Sequence, residues 1–401
     1  MRLVFWISAM TVVYVYAGYP ALLAVWARLR PLPAPRPAEP GAGLPTVSIV
    51  IAARNEAARL AARIENLLAL DFPAERRQII VVSDGSTDDT LDVLARFGTT
   101  VEAIAVAACG KAASVNVAVA RATGDILVFA DARQMFAPDA VRELVAPFAD
   151  PAIGGVTGEL LLDCEASDVA GRRAGTERRR AIADRRTRAD RGPGRREDLD
   201  RRGRIVSTIA EGVGLYWRYE KQLRRFESTV GSTLGATGAI YALRRTLYRP
   251  LPVDTILDDV LTPMQAVLAG YRVVFSERAF AFDCAAVDAR TEQRRKVRTL
   301  AGNVQILRHE PRLLVPIVNP VWLQYVSHKL GRLVVPWALI TLFTASLALA
   351  GQHAIYALAL FAQCALYLLG GYGAWLDLQA SPRLAVSASS RAVAAERIVS
   401  A

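Results

Sequence analysis

Gln78–Thr90 reads QIIVVSDGSTDDT. A short apolar run here breaks into a loop of small residues and carboxylates. An uninterrupted apolar run bounded by turn residues marks a strand buried on both faces, as in a parallel sheet. Ser86 or Thr87 can cap a following helix, with Asp88 and Asp89 in its first turn, where the helix dipole favours negative charge. Asp84 is left at the carboxyl end of the strand.

The same grammar repeats on either side. Thr46–Ala53 (TVSIVIAA) predicts a buried strand that ends at Arg54-Asn55-Glu56, and Ala57–Leu70 has the Leu and Ile spacing of a helix. Val101–Val106 predicts a third strand, Lys111–Ala122 a helix, and Asp125–Phe129 (DILVF) a fourth strand that ends at Asp131. This βαβα order predicts an open α/β sheet with helices on both faces. Ligands of such sheets sit at the carboxyl ends of the strands, where Glu56, Asp84 and Asp131 are all expected. One such carboxylate alone reads as a helix cap. Three on one rim read as a site.

Composition limits the alternatives. The 401 residues are 53% hydrophobic and carry a formal charge of +11, from 49 basic against 38 acidic residues. So apolar a chain excludes general disorder. Four scattered cysteines and three scattered histidines exclude a disulfide scaffold and a Cys/His zinc site. Only Lys111, Lys221, Lys296 and Lys329 are lysines, so the basic residues are almost all arginine, as expected from a GC-rich genome.

Part of the apolar content lies outside the sheet. Residues 1–30 contain a run, about Leu3 to Leu29, long enough to span a bilayer and without an evident cleavage site. Arg28, Arg30 and Arg36 follow it, which by the positive-inside rule puts that end in the cytoplasm. Residues 31–45 form a Pro-rich linker. Two further spans are predicted within 333–376, at Leu333–Ala350 and His353–Leu376, with Lys329 and Arg332 before the first. Residues 311–332, apolar but broken by prolines, are expected to lie along the interface. Residues 377–401 are a polar tail. The domain 46–310 is therefore expected on the cytoplasmic face of the inner (plasma) membrane, in a multi-pass protein.

Five segments in order carry a resemblance: AARNEAARL (52–60), VVSDGSTDDT (81–90), GKAASVNVAVARATGDILVFADA (110–132), GATGAIYALRR (235–245) and ILDDVLTPMQAVLAGYRVVF (256–275). Each is weak alone. Together they resemble the membrane-anchored glycosyltransferases of family 2, which have a GT-A fold and include the cellulose, chitin, hyaluronan and poly-N-acetylglucosamine synthases. The resemblance covers about 45–165 and 205–305 and the flanking helices.

It implies inverting transfer from a nucleotide-diphosphate sugar to a glycan or lipid-linked acceptor. Glu56, Asp84 and Lys111 match positions around the nucleotide. Asp131 matches the first acid of the family's D-x-D motif, which holds a divalent cation, and hard carboxylate oxygens suit Mg2+ or Mn2+. Here the second acid is replaced by Arg133, so either Asp131 and waters hold the metal alone or Arg133 offsets phosphate charge directly. Asp259, the second acid of Asp258-Asp259, matches the general base that deprotonates the acceptor hydroxyl. Gly235, Gly238 and Asp258 match the acceptor side. The Q-x-x-R-W pattern of processive members is not reproduced at Gln293–Thr299, though Arg295 and Arg298 are spaced to clamp a diphosphate. Its absence leaves open a non-processive transfer to a polyprenyl-phosphate lipid, and the departures from pattern leave open a nucleotide-binding scaffold without turnover.

Residues 165–204 stand apart, with fourteen arginines against eight acids and no apolar periodicity. They predict a solvated insert, with anionic lipid headgroups as the functional alternative. No aromatics interleave the arginines, so nucleic acid is not an expected partner.

Overall fold

The computed structural model describes residues 1–36, 43–162, 218–283, 289–373 and 375. The insert 165–204 and the tail 377–401 lie outside the described residues. The chain divides into two compact units, one of Met1–Tyr19, Val287–Gln293 and Leu330–Ala401, the other of Pro20–Ala286 and Arg294–Lys329.

The second unit is built on an eight-stranded sheet. Its strands are β1 (Val47–Ala53), β2 (Arg77–Asp84), β3 (Glu102–Val106), β4 (Ile126–Ala130), β5 (Met135–Phe136), β6 (Ile153–Leu162), β7 (Ile240–Arg244) and β8 (Arg272–Asp283). Their order across the sheet is β3-β2-β1-β4-β7-β6-β8-β5. β1 to β4 are mutually parallel, with Val47 opposite Arg77 and Ile126. The four expected strands are present within a residue of their predicted bounds, apart from β2, which is longer at both ends. Every residue of β4 is buried, and of β1 all but Ala52. β3, at the edge, is half-buried or exposed throughout.

The other half of the sheet departs from the expected parallel pattern. β7 runs antiparallel to β4 and β6, and β6 pairs in parallel with β8 across two register breaks. A mixed sheet results. The helix Ala57–Leu68 turns Leu60, Arg63, Ile64 and Leu67 inward, the spacing of one helical face. Its leucines and isoleucine join Ile49, Ile51, Val81 and Val128 in the main core. At Gly124, just before β4, a Cβ would meet the Val47 carbonyl carbon at 2.5 Å, so only glycine lets the chain enter the sheet there.

The first unit is helical. Phe5 packs with Leu342, Ala345, Leu349 and Tyr356. The Ser8 and Thr341 hydroxyls meet at 2.8 Å, which satisfies both away from water. Among the described residues three helices are long and apolar enough to cross a membrane, Arg2–Leu29, Trp322–Leu349 and Ala354–Gly373. The second begins at Trp322, about ten residues before the expected Leu333. Tyr325–Leu330 continues the helix as a π-turn, so its polar residues do not end it. Of the expected interfacial segment 311–332, only the part before Trp322 lies outside this helix, and it opens with a 3-10 turn, Pro311–Leu314.

Candidate active site

The loops after β1 and β2 are clasped together. The Asn55 side-chain carbonyl accepts from the Thr87 N–H at 2.8 Å, and the Asn55 N–H donates to the Ser86 hydroxyl at 3.1 Å. Asn55 takes φ of +55°, a left-handed turn that asparagine tolerates. The Glu56 N–H donates to the Thr90 hydroxyl at 3.0 Å. Glu56 is thereby fixed, half-buried, at the start of the helix Ala57–Leu68.

Asp84 has a structural role that the sequence did not announce. Its carboxylate accepts from the Cys109 N–H at 2.7 Å and from the Gly110 N–H at 3.1 Å. Burial opposes ionisation, but these amides outweigh it and hold the carboxyl below its ordinary range. Asp84 thus anchors the start of the helix Lys111–Arg121.

The helix start aims Lys111 into the cleft. Its ammonium lies 3.2 Å from an Asp131 carboxylate oxygen and 3.3 Å from one of Asp258. Desolvation disfavours its charge, yet Asp258 and Asp131 together raise its pKa above the ordinary value. One cation therefore joins the end of β4 to the acid pair. Asp258 and Asp259 open the helix Asp258–Leu268, where the dipole favours them. Burial, and then the Asp258 charge, push the Asp259 carboxyl up to about 6, against the pull of Lys111.

Gly235 and Gly238 meet Asp259 directly. The Ala236 N–H donates to the Asp259 carbonyl at 2.7 Å. A Cβ on Gly238 would lie 2.8 Å from the Asp259 Oδ2. In the protein itself these glycines seat the acid. Thr237, between them, is braced by its N–H to the Thr157 hydroxyl at 2.8 Å and by the Arg224 guanidinium.

Arg133 is turned toward the protein. Its guanidinium lies 3.3 Å from the Asp283 carboxylate, and the Gln134 amide donates to the same oxygen at 3.0 Å. Arg133 thus has its partner in Asp283, which sequence reasoning missed because it comes from a distant strand. Arg298 donates to the Ile256 carbonyl at 3.2 Å, so it grips the segment before the acid pair. Arg295 is exposed on the same helix, Ala289–His309. Neither is brought against Lys111 by a contact.

Asp131 and Asp258 converge on one cation from two sides, and a divalent ion suits two such hard oxygens. Among the described residues no group of three or more His, Cys, Asp or Glu is placed to hold a metal.

Arg63 is a second missed residue. It is fully buried under the site, its guanidinium 4.1 Å from the Phe136 ring centroid and 2.7 Å from the Asn66 carbonyl oxygen. Among the described residues nothing accepts from its Nε or Nη2. Burial lowers its pKa to about 9, with Asp131 partly opposing. The guanidinium stays charged, so the cost of burying it is present at neutral pH. Arg63→Met keeps the aliphatic bulk and removes the charge. Its melting temperature is expected to rise by a few degrees, on the order of 1 kcal/mol. A fall of that size would show that attraction to Asp131 outweighs desolvation.

Comparison with known proteins fits this geometry. The family model described as glycosyl transferase family 2 matches residues 48–197. The beta-monoglucosyldiacylglycerol synthase of Synechocystis is 31% identical over 118 residues, 28% of this chain and 25% of that protein. The poly-beta-1,6-N-acetyl-D-glucosamine synthase of Staphylococcus aureus is 29% identical over 116 residues, 28% of each. The match to these curated relatives spans about a quarter of their length. Among solved structures, the mannosyltransferase PcManGT of Pyrobaculum calidifontis, in complex with GDP-Man and Mn2+, superposes with a TM-score of 0.64. It is 21% identical and aligns over 93% of this chain and 94% of its own. The stretch 48–197 thus matches the glycosyl transferase family 2 model, and the mixed sheet has the fold of PcManGT.

Proposed function

We propose that this chain is a membrane-bound inverting glycosyltransferase that moves a sugar from a nucleotide-diphosphate donor to a growing glycan. The carrying observation is the Lys111 ammonium bridging Asp131 and Asp258, with Asp259 next in the chain. That bridge supports a shared site for the residues assigned to donor and to acceptor. Glu56 and Asp84 line the nucleoside end. Lys111 supplies positive charge for the diphosphate, and exposed Arg295 can add to it; Arg133 and Arg298 would first have to leave Asp283 and the Ile256 carbonyl. Asp258 lies on the acceptor side.

Asp259 takes the proton of the acceptor hydroxyl as that oxygen bonds to the anomeric carbon. The bond from that carbon to the diphosphate breaks, and the diphosphate leaves with the electron pair. Attack from the face opposite the leaving group inverts the centre. A base near pH 6 is ionised at neutral pH without being a weak one. Asp131 and Asp258 would hold a Mg2+ or Mn2+, which stabilises charge on the leaving diphosphate.

Two relatives favour different acceptors. The Staphylococcus enzyme is named for a polysaccharide, the Synechocystis one for a glycolipid. The missing Q-x-x-R-W pattern keeps a second reading in view, a lipid acceptor with one sugar added per encounter. The three candidate spans support placement in the inner membrane, and the arginines after the first support a cytoplasmic domain.

The test is incubation of membranes holding the protein with a panel of radiolabelled nucleotide sugars, with Mn2+ and with chelator. One donor is expected to label a product, and chelation to suppress it. A product of one sugar on lipid would sink the polymer reading. Nucleotide binding with no transfer from any donor would sink both.

A further inference from the structure

The chain reaches the acid pair through a strap, residues 248–257. It is tied first to the helix Lys111–Arg121, then to the helix Ala289–His309, and it enters the helix Asp258–Leu268. Two side-chain carboxamides hold it. The Asn116 oxygen accepts from the Leu251 N–H and the Asn116 nitrogen donates to the Leu251 carbonyl, both at 2.8 Å. Gln305 works in the same way nearer the acids. Its oxygen accepts from the Ile256 N–H at 2.9 Å, and its nitrogen donates to the Asp254 carbonyl at 2.7 Å. The nitrogen also donates to the Asp254 carboxylate at 3.1 Å. An N–H can meet only the oxygen and a carbonyl only the nitrogen, so the partners fix the amide's orientation.

The same helical face closes on the strap elsewhere. Arg298, Gly302 and Gln305 follow one another at helical spacing. Arg298 takes the Ile256 carbonyl at 3.2 Å, and a Cβ on Gly302 would approach the Leu257 Cγ to 2.5 Å. Both backbone groups of Ile256 are therefore held by side chains of one helix, two residues before Asp258. No slack follows, because the Leu257 carbonyl already accepts from the Leu261 N–H at 3.1 Å. From the opposite direction the Ala236 N–H holds the Asp259 carbonyl.

We propose that Gln305 is a positioning residue for sugar transfer: its carboxamide sets the strap, and the strap sets Asp258 and Asp259 against Lys111. It acts through the strap and needs no contact with donor or acceptor. The proposal rests on the reading of Asp259 as the base. The side chain is narrowly specified. Glutamate has the same shape, but its second oxygen would face the Asp254 carbonyl and carboxylate, so a bond becomes a repulsion. Methionine fills the space and makes neither bond.

The test compares Gln305→Met, Gln305→Glu and Asp259→Asn with the unaltered full chain in nanodiscs. Radiolabelled UDP-glucose, UDP-GlcNAc and GDP-mannose serve as donors, and folded protein is counted by size exclusion. Per folded molecule, both Gln305 variants are expected to lose kcat by about tenfold to a hundredfold, with KM for donor kept within about twofold. Adding Asp254→Asn to Gln305→Glu supplies an amide that can donate to the new carboxylate, and should recover about threefold or more. Hydrogen exchange needs no donor. Amides of residues 254–259 are expected to exchange about tenfold faster in Gln305→Met. Unchanged exchange overturns the proposal, and so does a loss of folded protein with kcat per molecule intact. An inactive Asp259→Asn beside a fully active Gln305→Met overturns the proposal alone. A fully active Asp259→Asn overturns the reading of the base, and the proposal with it.

Discussion

Asp259→Asn is expected to lose sugar transfer by about a hundredfold to ten-thousandfold, the usual worth of a positioned general base. Donor affinity should change little, because Lys111 still pairs with Asp131 and Asp258. In the unaltered protein, kcat/KM should rise with pH through about 6, where the carboxyl ionises under burial and the neighbouring Asp258 charge. The variant should lack that limb. Unchanged turnover would remove Asp259 from the mechanism.

The same variant is expected to be more stable. The folded carboxyl titrates at about 6 against an ordinary 3.8, so the fold binds its proton more tightly than the unfolded chain does. The resulting cost is absent below pH 4 or so, grows between the two values and is complete above 6. Asparagine removes it. Asp259 is only half-buried, so water screens part of the cost, and a gain on the order of 1 kcal/mol is expected at pH 7.5. Thermal melts at pH 7.5 and at pH 4 check the sign, since the gain should vanish at the lower pH.

Half of the sheet was legible because its residues say the same thing locally and globally. β1, β2 and β4 are buried on both faces, so their apolar runs are unbroken and mark themselves. The antiparallel half speaks less clearly. β6 carries Gly154, Gly155 and Gly158, which weaken a strand signal, because other side chains and backbone press against it. A Cβ on Gly158 would come within 2.5 Å of the Ala279 carbonyl oxygen, and β6 shifts register against β8 on either side of this stretch. The extent of the second span was misjudged for a related reason. Lys329 and Arg332 read as the polar lead into a span from Leu333, whereas the helix already runs through Ser327 and His328, which are buried, with His328 paired to Glu227 at 2.6 Å.

In the site, chemistry was legible and partnership was not. Lys111, Asp131 and Asp258 were each nameable by motif, and one ammonium joins them. Nothing local indicates that Arg133 turns to Asp283, since a side-chain pair from separate strands leaves no periodic trace. Arg63 was hidden more thoroughly. It occupies a core position on the face shared by Leu60, Ile64 and Leu67, where an arginine reads as a break in the pattern.

Gly238→Ala separates seating the base from binding the acceptor. The added methyl carbon would stand 2.8 Å from the Asp259 Oδ2, closer than such atoms approach. The obstacle is the end of a short side chain, so the carboxylate can swing aside and the fold need not change. Melting temperature should therefore move little. Catalysis should not be spared, since a displacement of about 1 Å at a reacting group can cost on the order of a hundredfold. The loss is expected in kcat, with KM for donor unchanged. Gly235→Ala should behave differently. Gly235 holds φ at +147°, a conformation that strains any residue with a side chain, and its neighbour is the Asp259 backbone. That variant should lose stability by about 1 kcal/mol or more. If Gly238→Ala instead raises KM for acceptor with kcat intact, the glycine borders the acceptor and the seating role is wrong.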